Sequence, residues 1–240
     1  MDSEGVEPAR DYSAQVVRRT LAKYATLTST YAVAADLVLR LVEVENAYGL
    51  LDRMVQQEAR GHRGERFPYW AEVWPAALAL ARWLAEARTC PPRRTLELGC
   101  GVGLVGISLA RMGWRVQATD FVEDALIFAT HNARLNGAAA RHSVSYLDWR
   151  NPVGRPCDCL VASDVAYERR NLPYLVRLLR CLLVPGGVFY LGDPGRRSTR
   201  CLVEVLGEQG FGHVARRLVQ PWRSGDVGVD IHVFRRPDGR

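Results

Sequence analysis

From about residue 65 onward, short apolar runs alternate with longer stretches whose apolar residues recur at helical spacing. The runs predict strands at 94–99, 115–120, 143–147, 158–163 and 186–192, with helices near 75–88, 103–112, 123–136, 171–183 and 197–209. Strands that alternate with helices imply parallel pairing, because each crossover needs a helix to return the chain to the same edge. The last two apolar runs, 212–219 and 229–236, are separated only by PWRSGDVG. That segment is too short for a crossover helix, so the pair is expected as an antiparallel hairpin. The predicted fold is α/β, a doubly wound Rossmann-like sheet of seven strands.

The first 64 residues follow a different rhythm. Val17, Leu21 and Tyr24 share a helical face within residues 9–27, which predicts a short amphipathic helix acting as a lid or packing element. Residues 31–44 are valine-rich, and Leu37, Leu39 and Leu41 alternate, so an extended segment is expected there. A helix at about 46–58 follows, and then the polar connector GHRGER at 61–66. The expected division is an N-terminal extension over 1–64 and a larger domain over 65–240.

Composition narrows the class. The chain has 240 residues, 48% of them apolar, enough for one well-packed domain. No apolar run reaches the length of a membrane span, and MDSEGVEPAR is too charged for a signal peptide, so a cytoplasmic location without membrane contact is expected. Six cysteines, at 90, 100, 157, 159, 181 and 201, form no C-x-x-C pair and no cysteine–histidine cluster, so no metal site is indicated. The net charge is +6, carried by arginine except for a single lysine, Lys23. The arginines are dispersed rather than interleaved with aromatics, which argues against a nucleic-acid partner; a basic face also suits an acidic protein.

The densest chemical signal is TLELGCGVGLVGISLA at 95–110. Gly99, Gly101 and Gly103 predict a tight turn between a strand and a helix. Gly101, Gly103 and Gly106 also fit the dinucleotide pattern G-x-G-x-x-G, so the glycines alone leave open a nicotinamide cofactor or S-adenosylmethionine. Glu97 separates the two. A carboxylate just ahead of the turn opposes a pyrophosphate at the helix N-terminus but favours an amine or a sulfonium. Asp120 ends the next strand, where a carboxylate accepts from ribose hydroxyls in either class.

Ligands of doubly wound sheets lie beyond the carboxyl ends of the strands, which singles out three further places and one ahead of the sheet. Phe121 either covers an adenine or packs in the core. Asp148 and Trp149 end HSVSYLDW, where the carboxylate can accept an adenine amino group while the indole covers the ring; a surface-loop acid is the alternative. Ser163, Asp164 and Tyr167 follow the strand at 158–163. A helix there would place Asp164 and Tyr167 on one face, whereas Asp164 alone could serve as an N-cap. At 190–197, YLGDPGRR reads as a tight turn. Trp70 and Trp74 are one helical turn apart, which would turn both toward one cleft or make them a hydrophobic plug under the N-terminal extension. Pro75 suits a helix start, and a tryptophan indole N–H needs a partner when buried, for which a cofactor carboxylate is a candidate.

The combination E-x-G-x-G-x-G followed by an acid resembles the first motif of class I S-adenosylmethionine-dependent methyltransferases. PYWAEVWP, LELGCGVGLVG, ATD, HNARLNG, SDVAY and GDPGR, collinear over roughly 65–200, are similar to family 16 of that class. Within it the chain looks like the electron-transfer flavoprotein β-subunit lysine methyltransferases and their bacterial relatives. The resemblance implies methyl transfer from S-adenosylmethionine to an amine, foremost an accessible lysine of a protein substrate. It also implies that Trp74 lies near the cofactor's methionine end, and that Asp164 and Tyr167 stand at the substrate lysine. Alanine at 166, and a loose match over 1–64, leave the choice of substrate open. Two rival readings are a small-molecule amine N-methyltransferase and a cofactor-binding protein without turnover. Oligomeric state is not legible.

Overall fold

The computed structural model describes residues 9–47, 49, 68–87, 91–92, 94–223 and 225–239. Seven strands form one sheet: β3 (Thr95–Leu98), β4 (Val116–Asp120), β5 (His142–Tyr146), β6 (Cys157–Ser163), β7 (Leu183–Asp193), β8 (Gly212–Trp222) and β9 (Gly225–Arg235). Their order is β5-β4-β3-β6-β7-β9-β8, parallel through β7, with β9 antiparallel to both β7 and β8. The predicted elements are present with ends shifted by a few residues. The C-terminal hairpin is tighter than expected: pairing continues to Trp222↔Gly225, so most of PWRSGDVG belongs to strands.

The order in which strands are added reverses between the parallel neighbours β3 and β6, and that switch opens a crevice at the sheet's carboxyl edge. On one face lie α2 (Pro75–Ala87), α3 (Leu104–Arg111) and α4 (Glu123–Leu135); α5 (Leu172–Leu182) and α6 (Arg197–Glu208) cover the other. Leu96 and Leu98 of β3 point toward α5 and α6, so the alternation of a strand turns Thr95 and Glu97 toward α3. Pro75 opens α2, where its missing N–H costs nothing, and Leu80 and Leu84 form its buried stripe.

The N-terminal segment differs from the expectation in one respect. The helix expected within 9–27 is α1 (Ala14–Leu21), capped by the Ser13 hydroxyl. The single extended stretch expected at 31–44 is instead a two-stranded antiparallel hairpin, β1 (Thr26–Ala34) and β2 (Leu37–Val44). Polar threonine and serine at 26–30 masked the first strand, which is half exposed. The helix expected at about 46–58 and the connector at 61–66 lie almost wholly outside the described residues. No helix among the described residues is long and apolar enough to cross a membrane.

Two asparagines on α4 bind this hairpin by imitating a neighbouring strand. Asn132 Oδ1 accepts from Val42 N–H at 2.8 Å and its Nδ2 donates to the Val42 carbonyl at 3.0 Å; Asn136 does the same for Arg40, at 2.9 and 2.7 Å. Four residues apart on a helix, they meet two alternate residues of a strand edge. Asn132 Nδ2 also donates to the Val102 carbonyl in the glycine turn, at 2.9 Å. Asn132→Leu would leave these buried backbone groups unpaired, at a cost of about 3 kcal/mol. Thermal melting is expected to fall by about 10 °C; an unchanged melting temperature would contradict the role given to this side chain.

Candidate functional site

The carboxyl ends of β3, β4 and β6, together with residues 69–77, enclose a cleft of about 860 Å³. Every predicted site residue except Gly103 lines it, and Gly103 forms the end of the turn beneath. Gly99, Gly101 and Gly103 all adopt positive φ (64°, 51° and 96°), a backbone that glycine enters without strain. At Gly101 a side chain would also press on the Trp70 backbone, whose oxygen lies 3.1 Å from the Cβ position. Asp120 holds the turn: its Oδ2 accepts from Gly101 N–H and its Oδ1 from Val122 N–H, each at 3.0 Å. Burial raises the Asp120 carboxyl, and these backbone donors pull it back down.

Glu97 stands at the N-terminal turn of α3, a helix end of the kind at which phosphates bind. Its side chain is buried, 2% exposed, and lies beneath the first turn of α3, where Gly106 is the third helical residue. A Cβ on Gly106 would come within 2.2 Å of Glu97 Oε2 and 3.1 Å of His142 Nε2. Glycine at this position in the first turn therefore serves to admit the Glu97 carboxyl group. Burial pushes the Glu97 carboxyl up to about 8, with the Gly106 N–H opposing and the Asp120 charge adding to the rise. Glu97 Oε2 and both ring nitrogens of His142 are buried without a hydrogen-bond partner among the described residues. Burial lowers His142 to about 4, so the imidazole is neutral.

The remaining residues divide around the cleft. Phe121 is 49% exposed at the rim, which excludes the core alternative. Asp148 is engaged by the Arg150 guanidinium and accepts from the Arg150 N–H at 2.9 Å; the Trp149 ring approaches Gly99. Across the cleft, Tyr69 packs on Tyr167 at 4.8 Å and on Trp74 at 5.9 Å.

Three expectations about this side are corrected. Trp74 Nε1 donates to the Tyr69 carbonyl at 2.7 Å, so the indole's partner is backbone and not a cofactor carboxylate. Trp70 and Trp74 do line one cleft, but not from one helix: Tyr69–Ala71 is a single 3-10 turn, and Glu72 is extended. No helix follows Asp164 directly, which rules out both the shared helical face and the N-cap; Asp164 has φ 52° in a bend. Asp164 and Tyr167 meet instead around Arg196, whose Nε and Nη2 both donate to the Asp164 carboxylate. Sequence reading missed Arg196, His142 and Tyr69. The GDPGR segment was visible, but only as a turn.

The sequence profile of a family described as lysine methyltransferase matches residues 68–200. The chain belongs to the lysine methyltransferase family. A protein N-lysine methyltransferase of Danio rerio is 32% identical over 80% of this chain and 92% of its own length. The electron transfer flavoprotein beta subunit lysine methyltransferase of Danio rerio is 33% identical over 54% of this chain, which spans about half of that relative (51%). A SAM-dependent methyltransferase from Methanosarcina mazei, at 14% identity, superposes with a TM-score of 0.56 over 65% of this chain and 98% of its own; that likeness concerns the fold. The lysine methyltransferase uses S-adenosylmethionine to methylate an amine.

Its cleft fits that cofactor chemically. An ammonium or sulfonium would draw the Glu97 carboxyl back to its ionised form and give Oε2 the partner it lacks among the described residues, whereas a phosphate would oppose that ionisation. The Glu97 pKa, raised from 4.5, gives the sign of a stability effect: its contribution is full below about 4.5 and lost as pH rises through about 8. Glu97→Gln removes that loss. The unliganded variant is expected to hold its stability between pH 5 and 8 while the wild type declines by a few kcal/mol, on the order of what such a shift carries; parallel melting curves for the two proteins would refute the buried proton.

Proposed function

We propose that this methyltransferase modifies lysine side chains of a protein substrate, a reading supported above all by the aromatic mouth formed by Tyr69, Trp74 and Tyr167 around the buried Asp164 carboxylate. Glu97, with the turn of Gly99, Gly101 and Gly103, would hold the amino-acid end of S-adenosylmethionine. Asp120 keeps acceptor capacity for ribose hydroxyls beyond its two backbone donors. Phe121, Asp148 and Trp149 would border the adenine, and Ser163 and Trp74 the reacting end. Asp148 already carries Arg150, so its role there is steric and dipolar rather than that of a bare charge.

S-adenosylmethionine supplies a methyl group on a cationic sulfur that is already electrophilic. The chain's own work is alignment, which contributes about 7–11 kcal/mol in well-oriented systems. A lysine ammonium, with a reference pKa of about 10.4, must lose a proton before its nitrogen can act. Desolvation between Trp74, Tyr69 and Tyr167 promotes that loss. Asp164 opposes it, because a carboxylate favours the ammonium. Asp164 is therefore assigned to capturing and aiming the lysine, with the proton passing to water. The five cysteines among the described residues are unbridged, which agrees with a cytoplasmic setting.

Asp164→Asn is expected to lower methyl transfer by roughly a hundredfold while leaving cofactor affinity unchanged, and wild-type activity should rise between pH 7 and 9. The deciding experiment supplies labelled cofactor to host proteins and locates the added methyl by mass spectrometry. Label on lysine residues supports the proposal; label confined to small molecules refutes it in favour of a small-amine methyltransferase.

A further inference from the structure

The Asp164 carboxylate is already occupied. Its side chain is only 9% exposed, and both oxygens accept from Arg196, Oδ2 from Nη2 at 2.9 Å and Oδ1 from Nε. The same guanidinium lies over the Tyr167 ring, with Cζ 5.9 Å from its centre, and Tyr167 is backed by Tyr69. A carboxylate at one side and an aromatic face at the other make a receptor for an organic cation.

The frame of this receptor is held by backbone contacts, whereas its occupant is held by side-chain contacts alone. Asp164 sits at φ 52° with its N–H donating to the Gly192 carbonyl at 2.8 Å, which ties the end of β6 to β7. Non-glycine residues hold that backbone only where the surroundings enforce it. The Arg196 backbone is equally constrained: Asp193 Oδ2 accepts from the N–H groups of Gly195 and Arg196 at 2.8 and 2.7 Å, and Asp193 Oδ1 accepts from the Thr199 hydroxyl at 2.7 Å. Beyond its backbone, Arg196 is a flexible stem, 34% exposed and reaching into the cleft from its rim.

We propose that Arg196 is a resident stand-in for the substrate ammonium, filling the acceptor seat on Asp164 and Tyr167 until a lysine displaces it. This rests on the lysine-directed reading above. A guanidinium suits the part, since it keeps its proton at all working pH values and so offers no nitrogen lone pair to a methyl donor. It also makes the seat selective. A lone amine must compete with a tethered cation, whereas a lysine delivered on a docked protein brings additional contacts to the exchange. Arg196 is thus a specificity-determining residue.

The single native lysine makes the test independent of any identified substrate. In Arg196→Lys the side-chain nitrogen reaches the position of the guanidinium carbon, between the two nitrogens that now meet Asp164. When that nitrogen is deprotonated, its proton having passed to water, the lone pair forms a bond to the donor methyl carbon. The carbon–sulfur bond breaks, and sulfur keeps the electron pair as a neutral thioether. Purified R196K incubated with S-adenosylmethionine is therefore expected to gain methyl groups at residue 196, read by peptide mass spectrometry, and R196K/D164N is not. Arg196→Ala supplies the second arm: with n-propylamine as probe it should form N-methylpropylamine about tenfold or more faster than wild type, because the seat is vacant. If R196K binds cofactor by calorimetry yet residue 196 stays unmodified, or if R196K does not fold and R196A gains no propylamine turnover, the proposal is overturned. Methylation at residue 196 combined with no lysine methylation of host proteins by the wild type would retain the seat and sink the protein-substrate reading alone.

Discussion

The carboxylate of Asp120, accepting from the N–H groups of Gly101 and Val122, is the contact on which the cleft depends. It joins the end of β4 to the turn after β3, and so sets how far the glycine backbone stands from Trp70 and from the rim at Phe121. Three successive left-handed glycines could follow many paths; a buried acceptor selects one. The same turn sends α3 back over Glu97, so the position of one carboxylate determines the burial of the next. The charge of Asp120 adds to the cost of ionising Glu97, and the site is poised to receive positive charge.

Much of this architecture was legible because its signals are local. Strand, turn and helix around 95–112 are encoded within one stretch, and the spacing from the glycines to Asp120 is that of a single βαβ step. Glu97 was legible for the same reason, since its relation to the helix start follows from strand alternation. What escaped detection depends on residues distant in sequence. Arg196 lies 32 positions from Asp164, and nothing near either residue announces the pairing. A cofactor carboxylate was one candidate for a buried tryptophan indole, but at Trp74 a carbonyl five residues back satisfies it as well as a ligand would. The D-x-x-Y spacing suggested a helix, but aspartate tolerates the left-handed backbone that turns the chain away from one.

Glu97 and His142 illustrate how a glycine can be read twice. In the sequence, Gly106 extends a phosphate-loop pattern; in the structure it makes room for a carboxyl group and faces an imidazole from two strands away. The helix accepts a residue that costs about 1 kcal/mol relative to alanine, and the carboxyl gains a buried place beside the Gly106 N–H at the helix start. The pattern was the same while the occupant differed. This is why glycine spacing alone could not distinguish the cofactor classes, and why the acid ahead of it could.

Asn132 gives the β1–β2 hairpin a part in the glycine turn. One amide serves Val42 on the hairpin and Val102 beside Gly101 and Gly103, so loosening the hairpin would also strip a donor from the turn. The hairpin thus braces the loop through a single side chain, and loosening it would slacken the glycine turn before it touched any residue of the cleft floor.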